Sequence, residues 1–186
     1  MVELEFYHLI TLPTIIQLKV GMLIMIDLSK GTTFEEYLQQ SKLKYGDIQL
    51  TAYNSTSLSI GTKESLQNLT SIVNVAIFSE GYCPDCIVTL PFVKRMSEEN
   101  KNINLYVFPK TGYESFLEEC TGDTRIPTII TFDKEMNPKG AYVEFPKKLL
   151  EKMIPLKIEE KKALVNDYRQ GAYNLIIEEE LLEILL

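Results

Sequence analysis

The stretch "SEGYCPDCIVTLPF", residues 79–92, holds two of the chain's three cysteines. Cys83 and Cys86 stand three apart, with Pro84 and Asp85 between them. Three chemistries use such a pair. Half of a tetrahedral zinc site needs two more ligands, and only Cys120 and His8 remain, neither with a paired spacing. A static disulfide staple would close a tiny loop and gain little. A redox dithiol needs one sulfur held as a thiolate and a second on the same face. The β-branched apolar run "SIVNVAIF", 71–78, ends just before the pair, and a helical pattern begins at Pro84. Unpaired amides and the positive end of the helix dipole would face Cys83 there and stabilise its thiolate. Pro84 suits the first helical turn, where its missing N–H is not needed. Cys86, one turn further in, can attack a mixed disulfide at Cys83. The pair reads as a redox centre, with Cys83 the exposed nucleophile and Cys86 the shielded resolving thiol.

The elements that must position this pair follow from the periodicity. "GTTFEEYLQQ" reads as a helix start, in which Thr33 and Glu36 form a capping box and Phe34, Tyr37 and Leu38 share a face. "TKESLQNLTS" is a second short helical pattern. After the strand at 71–78 comes a helix from Pro84 to about Glu99, with Pro91 inside it as a kink position. "INLYVF" is a buried strand, "GYESFLEEC" a short helix, "IPTIITF" (126–132) a third strand, "KEMNPKG" a turn and "AYVEF" a fourth strand. From Pro146 the chain is helical to its end. The order from residue 71 is β-α-β-α-β-β-α. Strands separated by helices imply parallel pairs, and the last pair, joined by a short polar turn, should be antiparallel. The expected fold is therefore α/β: a central mixed sheet flanked by helices, with extra helices at both ends. The chain divides into an N-terminal extension (1–30), a helical segment packed on the domain (31–70), a core (71–150) and a C-terminal helical extension (151–186).

"VAIFSEGYCPDC", followed by "IPTIITF" with its proline 44 residues after Cys83, resembles the thioredoxin superfamily. The preceding helices and the tail, with "YVEFPKKL" and "VNDYRQGAYN", resemble a bacterial thioredoxin-like family with helical additions. The resemblance implies a thioredoxin-like fold and thiol–disulfide exchange at Cys83 and Cys86, in a loop that includes Tyr82, Pro84 and Asp85. It implies that Pro127 is a cis proline facing the cysteines. Such a bond would expose the backbone of Ile126 for pairing with an extended substrate. Three departures stand out. Tyr82 occupies the place of the family's usual tryptophan. Ile77 occupies the place of a buried aspartate that helps deprotonate the resolving thiol. The usual glycine of the last strand region is replaced near Phe145 and Pro146. Asp85 or Glu80 could substitute for the missing acid, or Asp85 could simply complement the helix dipole. Placed beside the thiolate, Asp85 should oppose its charge and give the pair a reducing poise. Tyr82 reads either as a loop aromatic over the sulfurs or as a substrate contact.

Composition narrows the partners. Of the 186 residues, 45% are hydrophobic and 24% charged, as in an ordinary globular protein. The net charge of −7 argues against nucleic acid or an anionic membrane surface. The N-terminal run is apolar, but Glu3 and Glu5 precede it and Gln17 and Lys19 interrupt it, so neither a signal peptide nor a spanning segment is expected. It reads as an element packed on the domain or a poorly ordered extension, with Met22 and Met25 as alternative starts. Three cysteines, an odd and low number, argue against a secreted disulfide scaffold and fit a reducing cytoplasm better. No glycine-rich phosphate loop is present, so no cofactor is implied, and no metal. The partners expected are a disulfide-containing protein substrate and a reductase or small thiol as electron donor; the sequence leaves the oligomeric state open. The rival reading is a non-enzymatic module in which the dithiol senses redox state. Cys120 shares a helical face with Tyr113, Phe116 and Leu117 and reads as a small core hydrophobe, the alternative being a relay cysteine. His8 reads as an ordinary satisfied or exposed histidine. The acidic tail "IIEEELLEILL" reads as a docked amphipathic helix with a solvated face, the alternative being a partner-binding helix.

Overall fold

A computed structural model describes residues 26–186. The readings of the N-terminal run, His8, Met22 and Met25 among them, lie outside the described residues. α1 (Phe34–Tyr45) starts as its sequence dictates. Thr33 Oγ1 accepts the Glu36 N–H at 3.2 Å, and the Glu36 carboxylate accepts the Thr33 N–H at 2.8 Å. These bonds satisfy amides that have no partner within the helix. Phe34 and Tyr37 are buried and Leu38 packs against them. α2 (Ile48–Ser55) has no such signal: Asp47 makes no side-chain cap, and the one buried residue is Gln49. α3 (Ile60–Gln67) is capped by Ser59, so it starts and ends before the "TKESLQNLTS" pattern does.

The sheet comprises β1 (Val73–Phe78), β2 (Ile103–Phe108), β3 (Thr128–Phe132) and β4 (Pro138–Val143) in the order β2-β1-β3-β4. β1 and β2 are parallel, joined by α4 (Pro84–Glu99), which runs unbroken through the buried Pro91. β3 runs antiparallel to β1, against the expectation that strands separated by helices pair in parallel. The reason is the end at which the chain re-enters. α5 (Glu114–Thr121) is only eight residues, about 12 Å at 1.5 Å per residue. It does not carry the chain back along the sheet, and β3 begins with Thr128 opposite Phe78, the last residue of β1. This topology brings residues 126 and 127 to the end of the sheet from which Cys83 emerges. β3 and β4 are antiparallel as expected, but β4 begins at Pro138, inside the stretch read as a turn, and ends before Glu144 and Phe145. Pro138 is tolerated because it is the first residue of an edge strand.

Alternation along the strands sorts the core onto two faces. Val73, Val75, Ile77, Ile103, Val107, Ile129 and Tyr142 face one side, with Phe34, Leu66, Leu90, Met96 and the C-terminal helices. Ala76, Phe78, Phe108, Ile130 and Phe132 face the other, with Phe116 and Leu117 of α5. The C-terminal portion forms α6 (Lys147–Met153), α7 (Ile158–Arg169) and α8 (Asn174–Leu185). The helical pattern is broken between α7 and α8 at Gly171, whose φ of +89° lies in the left-handed region. α8 docks through Ile177, Leu181, Ile184 and Leu185. Its acidic face is not fully solvated. Glu178 and Glu180 are buried, accepting the Ser59 N–H at 2.9 Å and the Lys147 N–H at 2.6 Å. Each carboxylate thereby satisfies an amide at the start of another helix. No helix among the described residues is long and apolar enough to cross a membrane.

Candidate active site

β1 delivers the chain to a tight loop, Ser79–Tyr82, and α4 starts immediately after it. Cys83 is the N-cap of α4: its Sγ accepts the Cys86 N–H at 3.3 Å. Pro84 fills the first helical position and is exposed, and Asp85 follows in the first turn. Both cysteines are free thiols. Cys86 is fully buried and Cys83 is 6% exposed, so Cys83 is the more open of the two but sits deeper than its place at a helix start implies. The Cys83 thiol donates to Ile126 O at 3.6 Å, and the Ile126–Pro127 peptide bond is cis. The fold thus brings together Cys83, Cys86, Ile126 and Pro127, from segments more than forty residues apart.

The two thiols are pushed in opposite directions. Cys83 is held below the usual thiol value, first by the hydrogen bond from the Cys86 thiol and then by the backbone amides of Cys86 and Asp85; burial and the Asp85 charge oppose this. Cys86 is pushed well above the usual value by burial, and further by the hydrogen bond to Cys83 and its charge. The Ser79 hydroxyl and the Glu80 backbone act the other way. Cys83 is pushed toward the thiolate and Cys86 toward the protonated thiol.

The first two helices press on the loop. Gly81 is buried against Ser41 and Tyr45 of α1, and its carbonyl accepts Gln49 Nε2 of α2 at 3.4 Å. Tyr82 is 61% exposed, its ring edge-on to Tyr45 with centroids 5.9 Å apart. The Tyr37 and Ser79 hydroxyls lie 2.9 Å apart, both buried, at the base of the loop.

Neither carboxylate offered as a stand-in for the missing aspartate is placed to serve as one. Ile77 is fully buried in the aspartate's position. Glu80 turns away and accepts the Lys110 N–H at 3.1 Å. Asp85, 7% exposed, is held at both oxygens by Arg169, with Nε–Oδ1 at 2.8 Å and Nη2–Oδ2 at 3.0 Å. The free, repelling charge expected beside Cys83 is therefore paired. Arg169 escaped sequence reasoning because it lies 84 positions from Asp85. The signal that could have found it is within "VNDYRQGAYN", where it is the one basic residue of 163–186. Cys120 is half-buried on the opposite face of the sheet, against Phe116 and Leu117. Burial, then the Glu119 charge, pushes its thiol up to about 11. The sheet separates it from the dithiol, which fits a core residue and not a relay.

A family model described as "Thioredoxin" matches residues 31–165. The chain belongs to this thioredoxin family. The match takes in α1 to α3, α6 and most of α7 as well as the sheet, and ends before α8. A protein of unknown function from Pseudomonas aeruginosa, known from a 1.5 Å crystal structure, is 21% identical, with a TM-score of 0.68 over 85% of this chain and 93% of that one. An HIV epitope-scaffold is 20% identical, with a TM-score of 0.67 over 85% and 94%. At these identities both show the fold alone. No curated protein matches the sequence.

Proposed function

We propose that the chain is a cytoplasmic thiol–disulfide oxidoreductase that reduces protein disulfides. The observation that supports this best is the Cys83 sulfur at the start of α4, accepting the Cys86 N–H and facing the backbone of Ile126. The Cys83 thiolate attacks one sulfur of a substrate disulfide and expels the other as a thiolate, giving a mixed disulfide. Cys86, losing its proton, attacks Cys83 Sγ and releases the second substrate thiol. Two electrons pass to the substrate and the Cys83–Cys86 disulfide remains. A reductase or small thiol returns the pair to the dithiol. An extended substrate segment would pair with the backbone of Ile126 beside Pro127, as a strand added to an edge, with Tyr82 and Pro84 as exposed contacts.

The test is catalytic turnover of a model protein disulfide with dithiothreitol as electron donor. Wild type should accelerate reduction, Cys83→Ser should abolish it, and Cys86→Ser should accumulate a mixed disulfide that mass spectrometry can identify. A second reading has one observation in its favour, the depth of both sulfurs. There the dithiol senses redox state and the module binds a partner without turnover. No acceleration by wild type, with the disulfide still forming reversibly, would select it.

A further inference from the structure

We propose that Arg169 is a positioning residue for Cys83: its two-point ion pair with Asp85 withdraws the carboxylate's charge from the sulfur and makes the reactivity of the dithiol depend on α7. The inference rests on the redox reading of Cys83 and adds to it a residue from outside the core.

Asp85 lies between the cysteines on the first turn of α4 and is almost fully buried. A carboxylate in so little water acts strongly on a neighbouring thiolate unless something compensates it. The compensation is specific. The guanidinium offers two parallel N–H donors and the carboxylate takes both, a geometry that fixes direction as well as charge. The pair joins α7 to α4 across 84 positions. The seating of Arg169 is fixed by the residue before it. Tyr168 is fully buried, its hydroxyl 2.7 Å from Thr89 Oγ1 on α4 and its ring edge-on to Phe145 with centroids 5.0 Å apart. Thr89 is one turn beyond Asp85, so Tyr168 and Arg169 grip successive turns of the same helix.

The other groups around the sulfur do not duplicate this role. From α4 itself come the Cys86 thiol and Asp85; from α1, the Tyr37 hydroxyl; and from the segment after β4, Glu144, whose charge acts on Asp85. Glu144 is paired with Arg125 at 2.5 Å, and Arg125 is also paired with Asp123. Both acids therefore share one cation, and Arg125 has little left for Asp85. With Asp85 unpaired the thiolate would face an uncompensated anion, and its formation would become harder.

The experiment is the pH profile of Cys83 alkylation by iodoacetamide, followed by mass spectrometry in the full chain, with thermal stability measured alongside. It needs neither a substrate disulfide nor a reductase, so it is independent of whether the chain turns over protein disulfides. Arg169→Gln should move the midpoint up by about half to one unit, a roughly three- to tenfold slower reaction below the midpoint. Arg169→Lys should recover part of this, because it restores charge without the fork. Asp85→Asn should move the midpoint down, and Asp85→Asn combined with Arg169→Gln should return close to wild type. An unchanged profile in Arg169→Gln, with stability alone reduced, overturns the proposal. So does a double variant shifted as far as Arg169→Gln, since Arg169 would then act without Asp85. If Arg169→Gln fails to fold, Asp85→Asn decides alone, and an unmoved midpoint there overturns it.

Discussion

Gly81→Ala measures how closely the N-terminal helices are fitted to the loop before Cys83. The backbone at Gly81 is not in the left-handed region, so alanine meets no conformational barrier there. On that ground alone the substitution would stabilise the protein by about 0.4–1 kcal/mol, by narrowing the unfolded ensemble. Space decides the opposite sign. A Cβ would lie 2.7 Å from Ser41 Oγ and 2.8 Å from Tyr45 Cδ2, both closer than such atoms approach. Ser41 is buried and cannot swing out, and Tyr45 cannot move without disturbing the ring of Tyr82. Overpacking of this kind costs about 1–3 kcal/mol. Less the backbone gain, the net loss should be about 1–2 kcal/mol, which for a chain of this size lowers Tm by roughly 2–8 °C. Urea unfolding and a thermal scan would read it. The alkylation rate of Cys83 should rise as the loop lifts from α1. Ser41→Gly in the same chain should recover part of the stability, because the Tyr45 contact remains. A Gly81→Ala protein as stable as wild type would show that α1 and the loop are loosely apposed.

Three further outcomes follow from the same structure. Iodoacetamide should label Cys83 before Cys86. Because the Cys83 thiol is held low, its reactivity should persist as pH falls below the ~8.5 of a free thiol and fade only through its own lower midpoint, whereas faster labelling of Cys86 would reverse the roles. Cys120→Ala should leave turnover near normal. Its raised thiol contributes stability that is fully present below the unfolded value and lost as pH rises toward about 11, so the stability gap between wild type and variant should close over that interval; a gap constant with pH, or lost turnover, would refute the core role. Glu178→Leu should cost about 1–3 kcal/mol by stranding the Ser59 N–H, while Glu178→Gln, which keeps an acceptor, should cost much less in urea titrations; equal losses would mean that α8 contributes packing alone.

What the sequence disclosed and what it hid divide along a physical line. Signals carried within a few residues were legible: the Thr33–Glu36 capping box, the β-branched run at 73–78, and proline at the first turn of α4 after Cys83. The dithiol is local in this sense, and the Ile126–Pro127 stretch was recognisable by its resemblance. Features set by where distant segments meet were not legible. The direction of β3 depends on which end of the sheet the chain re-enters, and nothing in "IPTIITF" encodes that. α2 offers neither a capping side chain nor an apolar stripe, and Gln49, which it does bury, is a residue type that sequence patterns assign to solvent. Glu178 and Glu180 look like solvent-facing acids until the helix starts they cap are brought to them from 119 and 33 positions away. The pairing of Asp85 belongs to the same class, and it changed the chemistry most. A charge read as free to repel the thiolate is paired with a residue of the C-terminal extension.

Ile77 in place of the buried aspartate raises the question of how Cys86 loses its proton, and the coupling between the two sulfurs supplies an answer. Three causes raise the Cys86 thiol: burial, the hydrogen bond to Cys83, and the Cys83 charge. The third exists only while Cys83 is a thiolate, and the second is strongest then. On the proposed mechanism, once Cys83 Sγ is bonded to a substrate sulfur its charge is gone, and it no longer binds the Cys86 proton as an anion. The Ser79 hydroxyl and the Glu80 backbone, which favour the Cys86 thiolate, remain in place. On that mechanism Cys86 becomes more acidic at the step where it must attack. Before that step its high value protects it, so it neither competes with Cys83 for substrate nor reacts with stray electrophiles. Burial, the largest of the three causes, still holds its proton back. A dithiol that switches its own second sulfur in this way depends less on a carboxylate behind it. That is consistent with an isoleucine at residue 77, and with an Asp85 bound to Arg169 and so unavailable as a base.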